Sequence, residues 1–128
     1  VILDTAFVLD LLDDDTEAKT KLDQLQAANT ISKIPTMALL ELYVGIEAYT
    51  GPAEERRIRE ILDGVPRIEM GPQVAKTAGR MIGERDPSTY KRRKGDAVIA
   101  ATAETCGEAV VTRNVSDFEQ YGVPVESY

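Results

Sequence analysis

Short apolar runs alternate with helix-length segments along the whole chain, and this alternation limits the fold more than any other feature of the sequence. Strand, helix, strand in succession implies a parallel sheet with helices on its faces, because parallel neighbours are joined through a crossover. Residues 1–3 read as a buried strand ending at Asp4, and residues 7–12, apolar except for Asp10, as a short helix or turn. Beyond the acidic cluster Asp13, Asp14 and Asp15, either Asp15 or Thr16 caps a helix over 17–28 whose apolar side carries Leu22 and Leu25. Residues 30–34 form a short strand that Pro35 ends. Thr36 then caps a helix over 37–48, with Met37, Leu40, Tyr43 and Val44 as its apolar stripe. Gly51-Pro52 breaks the chain before a helix over 53–62, a strand over 67–70 and a helix over 73–84. A loop over 85–89 and a basic segment over 90–95 lead to a helix over 96–105. A strand over 108–112, a loop over 113–118 entering a final turn, and a last strand or extended tail at 123–125 complete the pattern. The expected architecture is α/β in three layers, a parallel sheet of four to five strands flanked by helices, in a single domain over 1–128.

A length of 128 residues suits one compact domain with its own core. Aromatics make up 5% and Trp is absent, so Val, Ile, Leu and Ala must fill that core. Histidine is also absent, which excludes Ser-His-Asp triads, His acid–base chemistry and His-ligated zinc. The lone Cys106 has no partner for an internal disulfide and points to a reducing, cytoplasmic compartment. It reads as a small residue near a helix end, since a nucleophilic cysteine would lack its His base. No run reaches the roughly 18 apolar residues that span a bilayer, and residues 1–3 lack the basic flank of a secretory signal.

Chemistry must come from other groups, and four acids stand out. Asp4 and Asp117 lie at or shortly after the ends of expected strands, and open α/β sheets place their sites beyond the carboxyl ends of strands. Asp96 opens a helix of small residues (Ala97, Ala100, Ala101 and Ala103) that can sit close to the sheet and bring Asp96 into the same cleft. Glu41 sits within the apolar segment 39–43, where a buried, unpartnered carboxylate is destabilising or takes up a proton. A bound cation resolves that conflict. Each acid also has an ordinary structural reading. Asp4 and Asp96 can be helix N-caps, Asp117 can fix a turn, and Glu41 can pair with an arginine or face solvent.

Four segments carry a resemblance to a known family. They are Ile2-Leu3-Asp4-Thr5, residues 36–45 (Thr-Met-Ala-Leu-Leu-Glu-Leu-Tyr-Val-Gly), residues 96–103 (Asp-Ala-Val-Ile-Ala-Ala-Thr-Ala) and residues 111–118 (Val-Thr-Arg-Asn-Val-Ser-Asp-Phe). In this order, over nearly the whole chain, they resemble PIN domains, in particular the small VapC-type toxins of type II toxin–antitoxin systems. The resemblance implies a PIN-like fold and a metal-dependent endoribonuclease. It places Asp4, Glu41 and Asp96 as ligands of a divalent cation. Asp117 matches a further acid whose position varies across the family, and Thr5, Thr112 and Asn114 match its polar support. No acid of the set is substituted. Oxygen donors suit Mg2+ or Mn2+, which would activate water and neutralise charge developing on a phosphoryl group. Hydrolysis of RNA by water would leave a 5′-phosphate and a 3′-hydroxyl. The implied partners are a transfer or ribosomal RNA, a VapB-type antitoxin that blocks the cleft, and a second copy of the chain as a homodimer. Leu39, Tyr43 and Ile46, or Phe7, Leu11 and Leu12, are candidates for such contacts and equally for the core.

A formal net charge of −7 weighs against nonspecific binding to nucleic acid. The run Lys91, Arg92, Arg93 and Lys94, separated from Asp96 only by Gly95, offers a local answer. It can guide a phosphate backbone to the acids, or it can be a solvated loop. Arg113 is a second candidate for RNA contact, while Arg56, Arg57 and Arg59 read as decoration of a solvent-facing helix or as an antitoxin contact. Two other functions compete on the same fold: a nuclease of RNA processing or decay, and an inactive scaffold that binds RNA or protein. A phosphoreceiver domain is excluded, because its paired early acids, mid-chain phosphoacceptor and late lysine are missing.

Overall fold

A computed structural model describes residues 1–128, with five two-residue strands running parallel through its centre: β1 (Ile2–Leu3), β2 (Ile34–Pro35), β3 (Arg67–Ile68), β4 (Val110–Val111) and β5 (Val125–Glu126). β1 pairs with β4 and β4 with β5, with Ile2 opposite Val110 and Leu3 opposite Val111; β2 pairs with β3. A parallel bridge between Ile2 and Lys33 joins the two ladders. Its bonds run from Leu3 N–H to the Lys33 carbonyl at 2.8 Å and from Lys33 N–H to the Val1 carbonyl at 2.9 Å. The spatial order is therefore β3–β2–β1–β4–β5. The chain winds away from β1 through β2 and β3, then returns to β4 on the other side. The reversal falls between β1 and β4, and the crevice beyond the carboxyl ends of those strands is where such sheets bind ligands.

Seven α-helices surround the sheet: α1 (Thr5–Leu12), α2 (Thr16–Ala27), α3 (Thr36–Gly45), α4 (Pro52–Ile61), α5 (Pro72–Gly83), α6 (Tyr90–Cys106) and α7 (Val115–Glu119). Asp15 caps α2, accepting the Ala18 N–H at 2.8 Å, and Leu25 faces the core with Leu22 packed at its edge. Arg56 and Arg59 on α4 are exposed, and Arg57 leans toward Asp14 at 3.6 Å. Cys106 is the last residue of α6, half-buried, and Gly107 in the left-handed region (φ +66) stops the helix there. No helix is long and apolar enough to cross a membrane.

The strands expected over 67–70 and 108–112 shorten to Arg67–Ile68 and Val110–Val111, the loop expected over 113–118 gives way to α7, and three further segments differ from the sequence reading. The strand expected over 30–34 shrinks to a bridge at Lys33 followed by Ile34–Pro35. Proline has no N–H for the next ladder bond toward β1, so the pairing ends, and Pro35 rather than Thr36 stands at the cap position of α3. The buried stripe of α3 is Ala38 and Leu42, continued by Ile46, not Met37, Leu40, Tyr43 and Val44; Leu40 and Val44 are 57% and 58% exposed. A turn of π-helix over Ile46–Thr50 ends this segment, where Gly51 at φ +89 turns the chain into Pro52 at the start of α4. Finally, α6 begins at Tyr90, so the basic run 91–94 forms its first turns and is not a loop. Asp86 nucleates this start by accepting the Ser88 N–H (3.1 Å) and hydroxyl (2.6 Å), and Lys and Arg propagate a helix well.

Helix α6 is the keel of the core. Residues 97–103 are buried without interruption, and Ala97, Ala100, Ala101 and Ala103 have no exposed surface. Small side chains let the helix backbone approach β1, β4, α3 and α5 together. Enlarging one of them forces the layers apart. Ala100→Leu is expected to lower stability by about 1–3 kcal/mol, read as a reduced urea midpoint with an unchanged slope; an unshifted midpoint would show that α6 has room to spare.

Candidate active site

Asp4 follows β1 directly and is 4% exposed. It occupies the N-cap position of α1, yet its side chain makes no capping hydrogen bond. Instead it accepts the hydroxyl of Thr112 at 2.7 Å. Thr112 follows β4, is fully buried, and its oxygen accepts the Asn114 N–H at 2.9 Å. The ends of the two central strands are thus tied together across the switch-point crevice. Asn114 contributes this backbone group and stands at the N-cap position of α7 without capping through its side chain. Asp117 lies in the first turn of α7.

Glu41 is exposed as a residue, which corrects the expectation of a carboxylate buried among apolar neighbours. Its carboxylate is the part turned inward. Thr5 donates its hydroxyl to Oε1 at 2.9 Å, and Oε2 lies 2.9 Å from where a Cβ on residue 95 would stand. Only a glycine lets the α3 carboxylate rest against α6 at this point. Asp96 is well inside α6, so the N-cap reading for it is overturned.

These acids feel one another. Burial, only partly opposed by the Thr112 hydroxyl and the amides of Thr5 and Ala6, pushes the Asp4 carboxyl up to about 6, and the charge of Glu41 adds to the rise. Burial also lifts Asp96 to about 6, with the charges of Asp117 and Asp4 contributing and Arg93 opposing. Glu41 is raised by desolvation against the Thr5 hydrogen bond, with Asp96 adding to it. As the side chains stand, no three carboxylates close on one point at ligating distance. Three are turned to partners of their own: Asp4 to Thr112, Glu41 to Thr5, and Asp117 to Arg93 at 3.4 Å.

The basic residues separate once they are wound into a helix. Arg93 reaches the acids, whereas Lys91, Arg92 and Lys94 are exposed around the first turns of α6. Arg113 is committed elsewhere: its guanidinium pairs with Asp10, buried in α1. Asp10 also accepts the Tyr128 hydroxyl at 2.6 Å, and the Tyr128 ring meets Phe7 edge-on at 5.1 Å. Since Arg113 lies between Thr112 and Asn114, Asp10 anchors the loop that carries the Thr112–Asp4 bond. Sequence reasoning noted Asp10 only as the exception in an apolar run, and that exception was the available signal. Tyr121 left no such mark. It is buried beside the site, its ring is covered by the Arg85 guanidinium at 5.1 Å, and its phenol is pushed up by burial with charges from Arg93 and Asp96 acting on it. Of the apolar contact candidates, Phe7, Leu11, Leu12 and Ile46 are core and Leu39 is partly buried, while Tyr43 is exposed with Leu40 and Val44 on the same face of α3.

A parallel α/β sheet with carboxylates gathered at its switch point defines a small class of architectures, and the comparisons narrow it. The PIN domain family model matches residues 1–123, and the chain belongs to the PIN domain family. Among solved structures it is similar to VapBC2 from Rickettsia felis bound to a DNA fragment from its promoter, at 18% identity and a TM-score of 0.85, covering 99% of this chain and 97% of that one. It is similar to DNA-bound VapBC from Salmonella typhimurium at 20% identity and a TM-score of 0.81, covering 98% and 96%. It is also similar to a toxin–antitoxin complex from Klebsiella pneumoniae at 29% identity and a TM-score of 0.74, covering 98% and 95%. No match to a curated protein was found.

The crowding of the acids has a pH signature. Asp4 and Asp96 bind protons more tightly in the folded chain than at their ordinary 3.8, so this source of stability is full below about pH 4 and is lost as the pH rises through about 6. Asp96→Asn is expected to raise Tm in EDTA at neutral pH by about 4 °C, the gap closing as the pH falls from about 6 to about 4. A variant that melts lower at neutral pH would refute the cost of burying and crowding these acids.

Proposed function

We propose that the chain is a metal-dependent endoribonuclease of the VapC toxin type, acting as a single cytoplasmic domain and neutralised by a cognate VapB-type antitoxin. The mutual charge influence of Asp4, Glu41, Asp96 and Asp117, carried by four separate helical segments or their caps, is the observation that supports this reading best. An inactive scaffold has no use for carboxylates held partly buried within reach of one another's charge.

The donor set fits a hard divalent cation. All donors are oxygens, they are partly desolvated, and the missing side chain of Gly95 leaves the space into which Glu41 reaches. Asp4, Glu41 and Asp96 would hold Mg2+ or Mn2+, with Asp117 at the side of the attacking water or of a second ion. When bound, the cation lowers the pKa of water and offsets charge on the phosphoryl oxygens. The remaining work belongs to the protein. Thr112 holds one oxygen of Asp4 and Thr5 one oxygen of Glu41, which fixes where the free oxygens point. The Arg93–Asp117 pair, at 3.4 Å, is loose enough for the guanidinium to turn to an incoming phosphate. Lys91, Arg92 and Lys94 draw the RNA backbone toward the crevice, and Arg113, paired with Asp10, acts mainly on loop geometry. Water attack leaves a 5′-phosphate and a 3′-hydroxyl on a transfer or ribosomal RNA. Leu40, Tyr43 and Val44, beside Glu41, offer apolar surface for the antitoxin and for a second copy of the chain.

Antitoxin-free protein incubated with total small RNA and Mn2+ is expected to give discrete fragments, lost in EDTA. Loss of a group that only orients a ligand typically costs 10–100-fold, so Asp96→Asn should reduce the rate by more than about 100-fold. Folded protein that binds RNA but leaves it uncut at every metal concentration would overturn the reading. A second variant separates site geometry from folding. Gly95→Ala improves helix propensity while its methyl displaces the Glu41 carboxylate, so activity should fall about 10-fold or more with Tm unchanged or raised; full activity would show that Glu41 need not rest against α6.

A further inference from the structure

We infer that the apolar cavity between α5 and the first turns of α6 is a subsite for one unstacked base of single-stranded RNA, an assignment that rests on the ribonuclease reading above. The cavity encloses about 240 Å³. Tyr90, Lys94 and Val98, spaced four apart on one face of α6, form one wall, and Met37, Met70 and Gly79 face them. Its position is set by two adjacencies. Met37 stands one turn before Glu41 on α3, and Lys94 precedes Gly95, against which the Glu41 carboxylate rests. The cavity therefore meets the α3–α6 seam beside Glu41, while Asp96 projects from the other side of α6, about 200° round from Lys94, with exposed Lys91 and Arg92 in the arc between. A strand whose scissile phosphate sits at the acids and whose backbone follows Arg92 and Lys91 over the first turns of α6 would bring a nearby base to this opening.

The chemistry of the walls suits a base. Tyr90 and Met70 are 57% and 49% exposed, and a phenol ring with thioethers offers polarizable surface to a planar heterocycle. The Lys94 ammonium lies 5.6 Å from the Tyr90 ring centre at the lip, and Lys91 and Arg92 are exposed on the same turns. In a chain of net charge −7, this cavity has a cation at its lip and no acid in its lining. An apolar interior with positive charge at the mouth matches a nucleotide, base inside and phosphate outside. An apolar protein side chain would fill the interior but would make no use of the ammonium.

Gly79 permits a test that spares the fold. A Cβ built there meets nothing within 4 Å, so a side chain can start at the cavity wall without a backbone clash, and leaving glycine favours the helix. Binding of a short single-stranded RNA, intact or with one abasic nucleotide stepped along it, is measured in EDTA for the unaltered chain, Gly79→Leu and Tyr90→Leu. The expected result is affinity about 10-fold weaker for each variant. One abasic position should cost the unaltered chain the same factor and cost Gly79→Leu nothing more. Equal affinities throughout, abasic losses undiminished in Gly79→Leu, or no RNA binding by the unaltered chain overturns the assignment. So does a variant that binds RNA normally but loses a protein partner. Base-dependent binding without cleavage in Mn2+ would uphold the subsite and sink the ribonuclease reading.

Discussion

The hydrogen bond from Thr112 to Asp4 joins the ends of the two central strands, and the arrangement of the site follows from it. Strands β1 and β4 meet where the chain reverses its winding direction, so residues far apart in sequence (positions 4 and 112) emerge side by side. A buried carboxylate there is destabilising unless a donor meets it, and the Thr112 hydroxyl is that donor. The same hydroxyl receives the Asn114 amide, which sets the loop into α7 and so the place of Asp117. Asp10 reinforces this loop from α1 through Arg113. Fixing one acid therefore helps to fix another.

Helix α6 supplies the second constraint. Its alanines bring it down onto the sheet, and the glycine just before Asp96 brings it against Glu41. The resulting burial, with the nearby like charges adding to it, raises Asp96 and Glu41 above ordinary carboxylates. Stability is surrendered at neutral pH to hold these acids partly buried beside one another.

Much of the fold was legible because it depends on local rules. Alternating apolar runs announced the parallel sheet, Asp15 announced α2, and the glycine–proline pair marked the break before α4. Less legible were features decided between elements. The apolar residues of α3 could not be sorted into buried and exposed by composition, since both faces are apolar and only the packing partner selects Ala38, Leu42 and Ile46. The basic run before Asp96 looked like a loop because charge density resembles solvated coil. The side-chain turn made by Asp86 and Ser88 converts it into the start of a long helix.

By itself, the sequence determined the class of fold, because strand–helix alternation is a property of neighbours along the chain, and it singled out four acids as candidates for the site. Only the tertiary structure decided how those acids relate. It placed the Thr112 hydroxyl on Asp4, turned an exposed residue's carboxylate inward at Glu41, and spent Arg113 on Asp10 while sending Arg93 to Asp117. Desolvation and Coulomb energy depend on distances in space, and residues tens of positions apart acquire those distances only when the sheet and α6 close over one core.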